Sequence, residues 1–128
     1  IVLRRQNQAF SQMGTTVVGA IFDGPEVVLG HVGDSRAYLS RDGAIQQLTV
    51  DHTYVQELVD RGEIQPEEAL SHPKAHILTR CIGSEPGLEV EIRKYWIWQV
   101  PPGEPTDSLI LCTDGLYSLI ADGEVASI

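Results

Sequence analysis

Between Thr15 and Thr49 the apolar residues come in short, β-branched stretches, each closed by a turn signal. TTVVGAIF (15–22) gives way at Asp23-Gly24-Pro25 to EVVLGHVGD (26–34). SRAYLS (35–40) follows, and Arg41-Asp42-Gly43 hands over to AIQQLT (44–49). Val, Ile and Thr pack well on a pleated, half-buried surface, so these stretches read as strands. Their connections are too short for parallel crossovers, which take roughly a dozen residues, so the pattern predicts an antiparallel meander.

The period then changes. Thr53 and Gln56 have capping-box spacing, and Val55, Leu58 and Val59 fall on one helical face before Gly62 stops the turn. Pro66, Glu67 and Glu68 open a second short helix that ends before Pro73. LEVEIRKYWIWQV (88–100) returns to alternation, 101–105 is a loop, and Ser108 to Thr113 is a nearly all-apolar strand. Gly115 leads into LYSLI, read as a helix, and polar residues 4–13 read as the tail of another. Strands, a helical insertion, strands and a helix make an α+β pattern. The 128 residues fit one domain, 1–128.

Charge narrows the partners. Nine Lys plus Arg against 18 Asp plus Glu leave a formal charge of −9, and only Lys74 and Lys94 are lysines. Such a surface repels phosphate backbones and anionic lipid, which argues against nucleic acid and membrane partners. No apolar run reaches the roughly 20 residues of a spanning helix. Cys81 and Cys112 lie in apolar contexts, read as buried reduced thiols, and point to a cytoplasmic setting. The chain opens on Ile1 and closes in what reads as the first turns of a helix capped by Asp122, so a piece of a longer domain is expected.

Two carboxylates are placed alike. Asp34 ends VVLGHVGD and Asp114 ends SLILCTDG, each closing a strand beside a glycine, Gly33 or Gly115. Converging, they would hold a hard cation through oxygen, Mg²⁺ or Mn²⁺ before Zn²⁺. Spacing alone leaves plainer roles open: a helix N-cap for Asp114, a turn residue for Asp34. His72 and His76 have ligand spacing, but Pro73 between them opposes a helix, and no further residue completes a zinc set. His31 falls in a strand and His52 in a loop, both read as packing or surface residues. Ser35 has no assignable base. Trp96 and Trp98 read as core or edge packing, and Glu63, Glu67 and Glu68 as a solvated face.

The ordered segments MGTT (13–16), GHVGDSRAYL (30–39), LTVDHTYVQELVDRGEI (48–64), EEALSHP (67–73), LTRCIG (78–83) and LILCTDGLYSLI (109–120) resemble the bacterial form of the metal-dependent protein phosphatases, protein phosphatase 2C. The resemblance implies part of a sandwich of two antiparallel sheets flanked by helices. It implies hydrolysis of phosphoserine and phosphothreonine in proteins by a metal-activated water, with Mn²⁺ or Mg²⁺ as cofactor. The implied partners are phosphoproteins, serine/threonine kinases among the candidates. By position, Asp114 matches the carboxylate that touches the catalytic metal pair and a third metal, and Asp34 matches the ligand of that third metal. Residues 51–80 match the flap beside the active site.

The family's metal-bridging Asp-Gly-x-Gly-Gly stretch and phosphate-holding Arg have no match here. None of the Asp-Gly pairs at 23, 42, 114 and 122 continues that way. The Gly-x-Asp-Asn ligand is also missing, since Asn7 is the only Asn. The expectation is the central stretch of a phosphatase domain, inactive alone and able to self-associate through exposed sheet edges. The alternative is a non-catalytic module of the same shape that binds a partner or a metal.

Overall fold

The computed structural model describes residues 13–83, 87–97 and 107–119. Expectations for 4–12, Trp98, the 101–105 loop and the helix after Asp122 lie outside the described residues.

The strands are β1 (Val17–Asp23), β2 (Glu26–Val32), β3 (Arg36–Arg41), β4 (Ala44–Gln47), β5 (Glu91–Trp96) and β6 (Ser108–Cys112). Among the described residues three short helices accompany them: α1 (Tyr54–Asp60), α2 (Pro66–Ala69) and α3 (Asp114–Tyr117). Every strand pair is antiparallel. The expected single meander is corrected, because β2 and β3 do not pair. They belong to two three-stranded sheets, ordered β1-β2-β5 and β4-β3-β6. Each hairpin forms locally as its turn dictates. Asp42 and Gly43 both take positive φ, 52° and 74°, which suits the two-residue turn joining Arg41 to its partner Ala44.

The sheets face each other across one core. Val27 and Leu29 of β2 alternate inward and meet Ala37 and Leu39 of β3, with Leu48 beside them. Burying these side chains is the main force holding the layers together. Tyr95 joins the cluster and donates its hydroxyl to the Leu48 carbonyl at 2.6 Å. The next residue along β5 points outward. Trp96 is 69% exposed on the outer strand of its sheet, so of the expected core or edge packing the core placement is corrected. Cys81 and Cys112 are half-buried rather than fully buried.

The excursion between the two sheets is tied off at its base. Tyr54 N–H donates to the Ile77 carbonyl at 2.9 Å and Thr79 N–H to the His52 carbonyl at 2.9 Å. Thr53 caps α1, its Oγ1 accepting from Gln56 N–H at 3.2 Å. The Gln56 side chain does not reach back as a capping box requires; it donates forward to Asp60 Oδ1 at 2.8 Å. The reaching-back carboxylate belongs to α2, where Gln65 N–H donates to Glu68 Oε2 at 2.8 Å.

Candidate metal centre

Asp34 sits where the chain passes from one sheet to the other. β2 ends at Val32 and β3 starts at Arg36, so Gly33, Asp34 and Ser35 form the crossing. Gly33 takes φ +101°, and a Cβ there would lie 2.2 Å from Thr16 Cγ2, so the position accepts only glycine. Ser35 is buried, with Oγ 2.7 Å from Thr16 Oγ1, which makes it a structural hydroxyl. Tyr117 donates its hydroxyl to the Asp34 carbonyl at 3.0 Å.

Asp114 reaches the same place from β6, which pairs with β3 through Arg36 and Cys112. It is the first residue of α3, and the N-cap position belongs to Thr113, so the plain capping role is not the one it takes. The Ser118 hydroxyl and N–H both donate to its carbonyl. Asp34, Asp51 and Asp114 line one cavity of about 500 Å³ together with Arg36 and Tyr117. The far wall is apolar, formed by Val55, Val59, Leu70 and Ala75 of the 51–80 excursion.

Arg36 favours the Asp34 charge only from a distance. Its guanidinium is committed to Asp51, with Nε to Oδ1 at 2.9 Å and Nη2 to Oδ2 at 2.7 Å. Nη1 donates to Tyr38 Oη at 2.9 Å, and the guanidinium carbon lies 3.7 Å from the Tyr117 ring centre. Burial works against the Arg36 charge, but the bonds to Asp51 outweigh it and hold the group charged. Burial, with the charges of Asp51 and Asp114 behind it, pushes the Asp34 carboxyl above its ordinary range. Burial likewise pushes the Tyr117 hydroxyl up, so it stays protonated and donates. Two hard oxygen donors on one cavity, with the like charges of Asp51 and Asp114 acting on Asp34, fit a divalent oxygen-loving cation.

Other candidates fall elsewhere. Glu63, Glu67 and Glu68 are exposed as expected. His76 lines the cavity, while His72 Nδ1 accepts from Lys74 N–H at 3.1 Å. His31 and His52, expected as packing or surface residues, are both buried and lie with Glu91 in one cluster. Arg36, Asp51 and Tyr117 were not singled out from sequence. Their only signal was position inside motif segments, since their pairing depends on how the two sheets meet.

The protein phosphatase 2C family profile matches residues 3–127. The serine/threonine phosphatase stp of Listeria welshimeri is 43% identical over 116 residues, covering 91% of this chain and 44% of the relative. The structure of the S. agalactiae serine/threonine phosphatase superposes with TM-score 0.87 at 33% identity, over 98% of this chain and 49% of that one. A structure of the catalytic domain of the phosphatase PstP in complex with two manganese ions superposes with TM-score 0.74 at 34% identity, over 98% and 49%. The chain thus spans about half the length of these phosphatases or somewhat less.

Proposed function

The chain belongs to the protein phosphatase 2C family, and on that premise we propose that it contributes to metal-dependent hydrolysis of phosphoserine and phosphothreonine in proteins. Asp34 and Asp114 are its metal-binding carboxylates. The reading is supported above all by one observation: both line a single cavity whose arginine is already spent on Asp51. Mn²⁺ or Mg²⁺, when bound, supplies Lewis acidity and a nucleophilic hydroxide near neutral pH. The chain's own residues fix the geometry. Asp114 would help hold the catalytic metal pair and a neighbouring metal, and Asp34 would help hold that neighbour. Tyr117 holds the Asp34 backbone, and the Arg36–Asp51 pair frames the cavity between them. The apolar wall of Val55, Val59 and Leu70 excludes water and seats the non-polar part of a phosphorylated segment.

The substrates are cytoplasmic phosphoproteins, serine/threonine kinases among them. The activity is that of a domain completed by the ligands this chain lacks. Among the described residues β1 and β5 edge one sheet and β4 and β6 the other, and such edges favour pairing between copies of the chain, which light scattering over a concentration series tests. A non-catalytic, metal- or partner-binding role is the second reading, favoured by the absence of an Asp-Gly-x-Gly-Gly stretch.

Mn²⁺ titration followed by electron paramagnetic resonance tests the site on this chain. Asp114→Asn should weaken binding at least about tenfold, a loss of about 1.4 kcal/mol. Equal binding by both proteins would refute the assignment. In the completed domain, Asp114→Asn should nearly abolish phosphopeptide hydrolysis and Asp34→Asn should lower it less. Equal losses would refute the division of roles, and no metal-dependent hydrolysis at all would favour the second reading.

A further inference from the structure

A loop carboxylate can hold a metal only as well as its backbone is held. We infer that His52 is a positioning residue for Asp34, acting through Gly33; the inference rests on Asp34 being a metal ligand. His52 grips Gly33 by both of its backbone polar groups. Gly33 N–H donates to His52 Nδ1 at 3.1 Å, and His52 N–H donates to the Gly33 carbonyl at 3.0 Å. With Thr16 against the other side of Gly33, the residue before Asp34 is clasped from two directions.

The ring that makes this clasp is itself fixed. Because Nδ1 accepts from Gly33, the neutral imidazole carries its proton on Nε2. That Nε2–H faces Glu91 Oε2 at 3.2 Å. The His52 ring stacks on His31, with centroids 4.5 Å apart and planes 13° from parallel. His31 Nε2–H donates to the Val50 carbonyl at 2.9 Å, and His31 pairs directly with Glu91 across β2 and β5. Orientation therefore passes from β5, through Glu91 and His52, to Gly33 and the crossing that carries Asp34.

The same three side chains bring ligand atoms within 4.8 Å of one another, a spacing that a metal ion could use. Their hydrogen bonds oppose that use. A cation on His52 Nε2 would have to displace the proton that the bond from Gly33 assigns there, and His31 Nε2 carries its proton toward Val50. The cluster is a hydrogen-bonded relay that sets a backbone.

Two near-isosteres separate the roles of the ring nitrogens. An Asn side-chain oxygen falls close to Nδ1 and can accept from Gly33. A Gln amide nitrogen reaches the place of Nε2 and can donate to Glu91, but it offers Gly33 no acceptor. On the 128-residue chain, amide hydrogen exchange at Gly33 should rise about tenfold or more in His52→Gln, about 1.4 kcal/mol or more for a donor left unpaired, and stay within about twofold in His52→Asn. Mn²⁺ broadening of the Asp34 signal should weaken in His52→Gln and be retained in His52→Asn. Identical behaviour of the two variants would overturn the inference.

Should neither variant fold, the ¹⁵N shifts of His52 in the unaltered chain decide, with an acceptor-type Nδ1 and a protonated Nε2 expected. The opposite tautomer, or movement of those shifts on adding Zn²⁺, would overturn it in favour of a metal site. If Mn²⁺ leaves Asp34 and Asp114 untouched in the unaltered chain, the metal reading fails. Gly33 exchange then still decides whether the clasp exists.

Discussion

Replacing Gly33 by alanine should be among the most damaging single-atom additions to this chain. Two costs arise at once. At φ +101° an L-residue is strained, by roughly 1–3 kcal/mol. The new Cβ would also sit 2.2 Å from Thr16 Cγ2 and 2.6 Å from Thr16 Cβ, a clash that something must move to relieve. Overpacking of this kind costs roughly 1–3 kcal/mol. The sum, about 2–6 kcal/mol, is a large fraction of the roughly 5–15 kcal/mol that holds a domain folded. The neighbour cannot yield cheaply, because Thr16 Oγ1 is held 2.7 Å from Ser35 Oγ. Urea unfolding of wild type, Gly33→Ala, Thr16→Gly and the double variant separates the two costs. Thr16→Gly removes the two closest atoms, leaving Thr16 Cα at 3.3 Å, so the double variant should recover the clash but keep the strain. The two changes should then be non-additive by about 1–3 kcal/mol in the favourable direction. A cost for Gly33→Ala below about 1 kcal/mol, or simple additivity, would show that the crossing is compliant and does not hold Asp34 in place.

Arg36→Met should cost about 3 kcal/mol, the low end for a buried pair because the cavity still wets one side, and Asp51→Asn on top should recover part of it. Denaturant midpoints for the four proteins check this, and full additivity would refute the pairing. Stability should also fall as the medium is acidified below about pH 6.5. Burial holds His52 below its ordinary range against the opposing bond to Glu91, so the unfolded chain takes up a proton that the folded chain resists. Burial would raise Glu91, but bonds from His52 and Arg93 outweigh it and hold it low, so its contribution goes later, as pH falls below about 4.5. Asp34, raised in the folded state, acts in the opposite sense, and comparison with His52→Asn cancels it. A pH profile that is the same in both proteins between pH 7 and 5 would exclude His52 as the source.

What the sequence made legible were features decided within a few residues. The strands from Val17 to Gln47, the Thr53 cap and the start of α2 at Pro66 follow from local turn and capping chemistry, and the structure has them within a few residues of their expected bounds. Asp34 and Asp114 were visible because each closes a strand beside a glycine. Which sheet a strand joins was not visible. Short spacing says that neighbours are antiparallel, but β2 and β3 are separated by only Gly33, Asp34 and Ser35, and they still lie in different sheets. The reason is physical. Val27 and Leu29 must face Ala37 and Leu39 across a core, which a flat hairpin would place side by side. The chain therefore needs a sharp crossing, and the positive φ of Gly33 provides it. That same crossing turns Asp34 toward the cavity that Asp114 reaches from β6, and it brings Gly33 under His52 from beyond β4. The error about the meander and the oversight of His52 thus have one cause. Both depend on an encounter between sheets that no short window of sequence contains, and the candidate site exists because of it.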